Sequence, residues 1–199
     1  MDLFTGSEEN SIIAESLGES IFSRATARKK HRQAIKDTKF EELIMECGGL
    51  PSREESLRIK TTGTSDTGNI FSFIINQMKT VEELYVSTWI ISRENIDLIT
   101  KEIDSGKIKN MTFIVSKRLR ELKKSVYAYF VEEMLKRSEI VKFKVVNCHA
   151  KTFSISDGIN HYTVDGSGNW TSNPRIENYT IVNDIDALNF NKQWMTELA

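Results

Sequence analysis

The apolar residues in the middle of the chain alternate between the spacing of strands and the spacing of helices. Three segments are rich in β-branched and aromatic residues, which predicts strands at 83–91, 110–116 and 141–146. Two segments between them have apolar residues at helical spacing, which predicts helices at 92–106 and at 119–136, the second with Leu122, Val126, Phe130 and Leu135 facing inward. This order predicts right-handed βαβ units around a largely parallel, buried sheet.

The first third of the chain has a different pattern. Apolar residues recur at helical spacing from about position 10, which predicts a helix to about Ile35. A second helical pattern at 41–46 ends at two glycines and a proline. The stretch 61–68, rich in Thr, Ser and Gly, predicts a flexible loop or, alternatively, a loop at the mouth of a site. We therefore expect a helical N-terminal extension with its loop over 1–68, and a main domain over 69–199.

The composition of the chain is that of an ordinary globular protein. The chain has 199 residues, of which 39% are hydrophobic and 28% charged, with a net charge of -1. Its two cysteines form neither a disulfide framework nor a zinc motif. The N-terminus lacks the pattern of a signal peptide, and no apolar segment reaches the length of about 20 residues that spans a bilayer. We expect a cytoplasmic protein that does not associate with membranes.

Basic residues are concentrated in two segments. Residues 24–39 contain seven lysines and arginines and one acidic residue, Asp37. Five further basic residues follow the predicted strand at 110–116, where sites of α/β proteins usually open: Lys117, Arg118, Arg120, Lys123 and Lys124. Each group is either a solvated helix face or a surface that contacts a phosphate backbone.

The residues with the clearest chemistry lie near the end of the chain. His149 and Lys151 are two positions apart in 142–156, which predicts two short strands or one bent strand, so the β period places both on one face. A Gly-Ser pair, Asn169 and Glu177 follow. A histidine nucleophile, a lysine, an amide and an acid are groups with which a protein attacks a phosphodiester without a metal.

Three of these features have alternative interpretations. A strand histidine can be a structural residue, and the pair Asp157 and Asp165 could hold a metal, although aspartates are common in turns. Trp170 could be a base-stacking platform, but we expect it to be a core anchor beneath the site.

This stretch resembles the HxK…GSxN signature of the phospholipase D superfamily, in particular its short nuclease-like members with a single motif. The matching residues are His149, Lys151, Gly166, Ser167 and Asn169, followed by Thr171, Asn173 and Glu177. Where the family has an aspartate after the lysine, this chain has Ser156, with Asp157 one position later. The resemblance implies a mixed αβα sandwich and makes 69–199 the catalytic domain.

The resemblance also implies a role for each residue. His149 would attack phosphorus or protonate the leaving oxygen, and Lys151 and Asn169 would hold the phosphate, with Ser167 assisting by a hydrogen bond. Glu177 would accept a hydrogen bond from the other nitrogen of His149 and so fix its tautomer. The chemistry requires neither a metal nor another cofactor.

One chain contains one such motif, and the family mechanism uses two histidines. We therefore expect a homodimer in which two copies of the site face each other. The basic segments favour nucleic acid as the substrate, which predicts a metal-independent phosphodiesterase of the nuclease type. Two alternatives stay open, namely a non-catalytic nucleic-acid-binding or assembly protein on the same fold, and a phospholipid headgroup hydrolase.

Overall fold

The computed structural model describes residues 25–27, 31–35, 40–61, 65–172 and 174–199. Within these residues the chain forms nine strands and six helices. The strands are β1 (Ala25–Ala27), β2 (His31–Ile35), β3 (Ser56–Thr61), β4 (Glu83–Thr88), β5 (Met111–Ser116), β6 (Val141–Val146), β7 (Thr152–Ser156), β8 (His161–Gly166) and β9 (Glu177–Asn183). The helices are α1 (Phe40–Glu46), α2 (Thr67–Asn76), α3 (Arg93–Asp104), α4 (Lys117–Leu122), α5 (Lys124–Leu135) and α6 (Ile185–Leu198).

The strands form one mixed sheet in the order β1-β2-β3-β9-β8-β7-β4-β5-β6. The pairs β2–β3, β4–β5 and β5–β6 are parallel. The other neighbours, including the run from β3 through β9, β8 and β7 to β4, are antiparallel. The α/β class is confirmed, but the expectation of a largely parallel sheet was wrong because the chain returns from β6 through an antiparallel meander.

The parallel half of the sheet follows the hydrophobic pattern closely. All six residues of β5 are buried, as expected for a central strand covered on both faces. The Ser92 hydroxyl accepts a hydrogen bond from the Asn95 amide at 3.3 Å and caps α3 as predicted. The segments β4-α3-β5-α5-β6 therefore form the two expected βαβ units.

The predicted helix at 119–136 is divided in two. Lys123 has φ -139° and ψ 65°, which is outside the helical region and separates α4 from α5. Phe130 is buried as predicted, whereas the side chains of Leu122 and Leu135 are 57% and 58% exposed. Because the helix is interrupted at Lys123, the side chains of the second helix do not continue the spacing of the first. Apolar residues counted across the interruption therefore do not lie on one helix face.

The antiparallel half of the sheet, including the hairpin of β7 and β8, was largely missed from the sequence. The turn itself is short. The Asp157 carboxylate accepts hydrogen bonds from the amides of Ile159 and Asn160 at 2.9 and 2.7 Å, and Gly158 has φ +87°. Asp157 therefore closes a hairpin and lies at the opposite end of it from Asp165, so the two aspartates do not form a metal-binding pair.

The two faces of the sheet differ in polarity. One face packs under α2, α3 and α5 and forms the main hydrophobic core. The other face carries α6 on polar strand residues. There the Asn191 amide donates hydrogen bonds to the hydroxyls of Thr152 and Ser154, both at 3.0 Å, and Ser154 pairs with Thr163 at 2.7 Å. These hydrogen bonds fix the C-terminal helix on the sheet.

The prediction of an N-terminal helix to Ile35 is wrong for the part of that segment that the structure describes. Residues 25–27 and 31–35 form the strands β1 and β2, which extend the sheet beyond β3. The rest of the predicted helix, with six of the seven basic residues of 24–39, lies outside the described residues. The boundary at residue 68 stays a prediction, although β3 lies within the sheet and α2 includes residue 68. In the described part of the chain, no helix combines the length and apolar character needed to cross a membrane.

Candidate active site

One edge of the sheet gathers the residues that the sequence singles out. The register fixes this edge through four pairs: Ser87 with Thr152, Thr152 with Asp165, Gly166 with Tyr179, and Glu177 with Thr61. The carboxyl ends of β3, β4, β5, β6 and β8 therefore meet the amino ends of β7 and β9. The predicted catalytic residues come from the connections at this edge.

His149 and Lys151 lie in the connection that runs from the outer strand β6 past β5 and β4 to β7. The ammonium nitrogen of Lys151 is 3.4 Å from each ring nitrogen of His149, and it donates a hydrogen bond to the His149 carbonyl at 3.1 Å. The two side chains do lie together. The reason is the conformation of the connection, because neither residue belongs to a strand.

The ammonium of Lys151 is half-buried at the site. Burial lowers the pKa of Lys151 below the usual lysine value, because the charged form loses hydration. The negative charge of Glu177 acts in the opposite direction. The site therefore holds a poorly hydrated cation beside an exposed imidazole.

An aromatic residue that the sequence analysis did not single out also lies here. Trp89, directly after β4, has its ring centroid 5.2 Å from that of His149, with an angle of 61° between the planes. The Lys151 ammonium is 5.9 Å from the centroid of the indole ring. The signal in the sequence was the position of Trp89 at the carboxyl end of a parallel strand.

The glycine-rich segment 166–170 forms the other side of the site. Backbone and hydroxyl hydrogen bonds from four other parts of the chain hold it: Gly166 N to Lys151 O at 3.1 Å, Ser167 N to Asn178 O at 3.0 Å, Thr67 Oγ1 to Gly168 O at 3.0 Å, and Ser92 N to Trp170 O at 2.8 Å. Thr67 belongs to the predicted loop 61–68, so the alternative that this loop reaches the site is the one supported.

The two glycines of this segment are required by the neighbouring tyrosine. A Cβ atom at Gly166 would be 2.5 Å from Cδ1 of Tyr179, and one at Gly168 would be 1.8 Å from the Tyr179 hydroxyl. Tyr179 is 2% exposed, and burial raises the pKa of its hydroxyl. Tyr179 was also missed from the sequence, and it explains the Gly-Ser-Gly spacing through packing alone.

Trp170 anchors the segment in the core, as predicted. Its side chain is fully buried, and its ring centroid lies 5.3 Å from that of Phe71 and 5.6 Å from that of Phe153. Trp170 also forms a bridge with Ile91, at the start of α3. The position of the site loop is therefore coupled to the hydrophobic core.

Ser167 and Glu177 are connected directly. The Ser167 hydroxyl donates a hydrogen bond to the Glu177 carboxylate and accepts one from the Asn178 amide at 3.0 Å. The imidazole of His149 contacts Lys151 and Trp89. The Glu177 carboxylate orients Ser167, and its hydrogen bond to His149 stays a prediction.

Asn169 supplies the amide of the site. Its side-chain oxygen is buried and has no hydrogen-bond partner among the described residues. The oxygen and nitrogen of an amide can exchange places by rotation, so this group can turn a donor toward an anion. A buried polar atom without a partner is costly unless a ligand or water satisfies it.

The predicted substrate-contacting residues are exposed near the same edge. Lys117 and Arg118 directly follow β5, and Arg118 pairs with Glu121 at 2.7 Å. Lys123 and Lys124 lie one helix further along, at the break between α4 and α5. The structure places Lys117 and Arg118 at the edge that carries His149. That these four residues contact a substrate stays a prediction.

Comparison with known proteins gives likeness in structure alone. No family model matches the sequence, and no curated protein matches it. Among solved structures, polyphosphate kinase from Porphyromonas gingivalis matches with a TM-score of 0.54 and 13% identity, over 72% of this chain and 26% of that protein. Phosphatidylserine synthase of Haemophilus influenzae Rd KW20 matches with a TM-score of 0.54 and 15% identity, over 72% of this chain and 38% of that protein.

A third match is TrmBL2, an archaeal chromatin protein whose structure shows a mode of DNA binding, with a TM-score of 0.48, 10% identity and coverage of 95% of this chain and 62% of that protein. The chain thus spans well under half the length of the first two proteins. At these identities the likeness concerns the fold, and the mixed α/β sheet is consistent with the phospholipase D-like sandwich that the sequence resemblance implies.

Proposed function

We propose that this protein is a metal-independent phosphodiesterase of the phospholipase D type that cleaves nucleic acid. The observation that carries the proposal is the convergence of a histidine, a lysine, a serine and an amide at one sheet edge. Lys151 lies 3.4 Å from the His149 ring, and the segment with Ser167 and Asn169 is hydrogen-bonded to the Lys151 carbonyl.

The likeness to solved structures supports the same class of chemistry. Polyphosphate kinase and phosphatidylserine synthase both belong to the phospholipase D superfamily, and this chain has a fold like part of each. Two observations therefore support the same superfamily, namely the HxK…GSxN pattern in the sequence and the sandwich fold in the structure. Membership of the single-motif nuclease-like branch is part of the proposal.

The mechanism would proceed in two displacements. A ring nitrogen of His149 forms a bond to phosphorus while the ester bond to the leaving oxygen breaks, and that oxygen takes its proton from His149 of the partner subunit. Water then attacks the phosphohistidine and releases the second product. Lys151 and the Asn169 amide would stabilise the charge that develops on the phosphoryl oxygens.

A homodimer would complete the site. Each chain contributes one HxK motif, so a second histidine must come from another copy placed across a two-fold axis. The exposure of His149 at the sheet edge leaves its imidazole accessible to such a copy. The partner in this proposal is a second copy of the chain, and the substrate is DNA or RNA.

The basic residues near the site support a polyanionic substrate. Lys117 and Arg118 follow β5 at the edge that carries the motif, so a bound strand leaving Lys151 would pass beside them. The net charge of -1 means that any attraction for nucleic acid comes from this local cluster.

The test is cleavage of plasmid and single-stranded DNA and RNA in excess EDTA by wild type and His149→Ala. We expect cleavage that persists in the chelator and falls by about 10³-fold or more in the variant, because the covalent route is lost. His161→Ala is a matched control, since His161 lies at the far end of β8 and should leave the rate unchanged. Cleavage abolished by EDTA would overturn the metal-independent mechanism.

A second candidate is a non-catalytic nucleic-acid-binding protein on the same fold. The observation that favours it is the serine, Ser156, at the position where the family has an aspartate, and Ser156 pairs with His161 at the far end of the hairpin at 2.9 Å. Such a protein would retard DNA on a gel with equal affinity in wild type and His149→Ala, and would cleave nothing. Turnover of phosphatidylcholine vesicles without action on nucleic acid would instead support a lipid substrate.

A further inference from the structure

Trp89 is the aromatic residue that meets both members of the catalytic pair. Its ring lies 5.2 Å from the His149 imidazole and its centroid 5.9 Å from the Lys151 ammonium. The position is fixed by a turn directly after β4, in which the Thr88 hydroxyl donates a hydrogen bond to the Ile90 carbonyl at 3.0 Å. The indole is therefore held at the place where a substrate phosphate would bind.

The other two tryptophans of the chain have structural explanations that Trp89 lacks. Trp170 is fully buried between Phe71 and Phe153. Trp194 lies on α6 and donates its indole N–H to the Asn191 side chain at 2.8 Å. Trp89 is only half-buried, so part of its surface stays open to solvent at the sheet edge.

We propose that Trp89 is a stacking platform for the nucleobase next to the scissile phosphate, so that the enzyme acts on unpaired strands. This inference rests on the proposed function and names the substrate class for it. The base of a nucleotide is one sugar away from its phosphate, so a phosphate held by Lys151 brings an adjacent base within reach of the indole. In a duplex the faces of the base are covered by its neighbours, whereas an unpaired strand can offer one to an aromatic ring.

Stacking would also suit a site with little sequence preference. Every base has a π-face, so an indole accepts all four bases, and selectivity would be for the single strand. The edge-on contact of Trp89 with His149 has a second effect, because a ring packed against the imidazole helps to fix its orientation. The competing explanation is that Trp89 only positions His149, and an experiment must distinguish this role from stacking.

A cycle that combines a protein variant with a modified substrate distinguishes stacking from positioning. Wild type and Trp89→Leu would be compared on a single-stranded oligothymidylate with one cleavage site, intact or with one abasic residue at each position beside the cleaved bond. We expect one abasic position to lower the wild-type kcat/KM by between about 5-fold and 100-fold. On the intact strand, the kcat/KM of Trp89→Leu should be lower than that of wild type by a similar factor. The abasic residue at that position should not lower the kcat/KM of the variant further, and Trp89→Tyr should restore most of the wild-type value. An equal loss on intact and abasic strands would overturn the stacking role and leave a positioning one.

A binding measurement keeps this inference separate from the catalytic proposal. Oligothymidylate should quench the indole fluorescence of the full chain, the quenching should disappear in Trp89→Tyr, and it should persist in Trp194→Phe. Quenching without any cleavage would retain the stacking role and overturn the nuclease. Quenching that persists in Trp89→Tyr, or that a duplex of the same sequence produces equally well, would overturn the stacking proposal itself.

Discussion

The two sides of the candidate site are built differently. His149, Lys151 and Trp89 come from connections between strands, and the imidazole is exposed to solvent. The segment 166–170 opposite them is hydrogen-bonded to four other parts of the chain and anchored by a fully buried tryptophan. One side presents the histidine and the lysine, and the other carries the Asn169 amide on a segment fixed to the core.

This difference implies that activity and stability can be separated by mutation. Residues with few buried contacts contribute little to the free energy of unfolding, whereas residues locked into the core contribute several kcal/mol. The histidine side should therefore respond to substitution mainly in activity, and the two glycines and Trp170 of the other side mainly in stability.

The largest expected effect on stability contrasts the two tryptophans. Trp170→Ala should lower the free energy of unfolding by about 3–5 kcal/mol, because it empties a site between Phe71 and Phe153. Trp89→Ala should cost about 1 kcal/mol or less, since its side chain is only half-buried. Urea denaturation followed by circular dichroism measures both. Equal costs for the two variants would contradict the division of the site into a reactive side and a structural side.

A smaller effect is expected from the close approach of Gly168 to Tyr179. Gly168→Ala should destabilise the protein by about 1–3 kcal/mol, because its new methyl group would lie 1.8 Å from the Tyr179 hydroxyl oxygen. Tyr179→Phe removes that oxygen, so the double variant should lose less stability than the sum of the two single changes. Strictly additive losses in thermal unfolding would show that the loop avoids the clash by moving. Gly106→Ala is the control, because Gly106 has a positive φ of 76° but open space around it. Its effect on stability should add to that of Tyr179→Phe without coupling.

The contrast also explains what could be predicted from the sequence. The residues His149, Lys151, Ser167 and Asn169 were found because their types and spacing match a known pattern. The parallel half of the sheet was found because β5 and its flanking helices have a strong apolar period. These are signals that lie within short segments of the chain.

The rest depends on contacts between distant segments. The antiparallel half was missed because β3, β8 and β9 mix apolar with polar residues and are completed only by pairing with each other. The role of Tyr179 was hidden for the same reason, since its strand faces the Gly166 segment only after the register is set. The hydrogen bond from Ser167 to Glu177 was also not predicted, because nothing in the sequence shows that these two residues meet.

The smallest expected effect is a change in the pH dependence on the reactive side. Burial lowers the pKa of Lys151, and phosphate binding requires its protonated form. The wild-type kcat/KM should therefore fall at alkaline pH with an apparent pKa below the usual lysine value, because this profile reports the free enzyme. Lys151→Arg keeps the charge at all accessible pH values, so the variant should lose that alkaline fall even if its rate at neutral pH is lower.

The sign of the accompanying stability change provides an internal check. Between the lowered pKa of Lys151 and the usual lysine value, the unfolded chain binds more protons than the folded one, so this group makes the free energy of unfolding rise with pH. Activity should fall over the same window, which distinguishes deprotonation of Lys151 from alkaline unfolding. If the alkaline fall were the same in wild type and Lys151→Arg, another group would be titrating. The reactive side would then owe its pH dependence to something other than the half-buried ammonium.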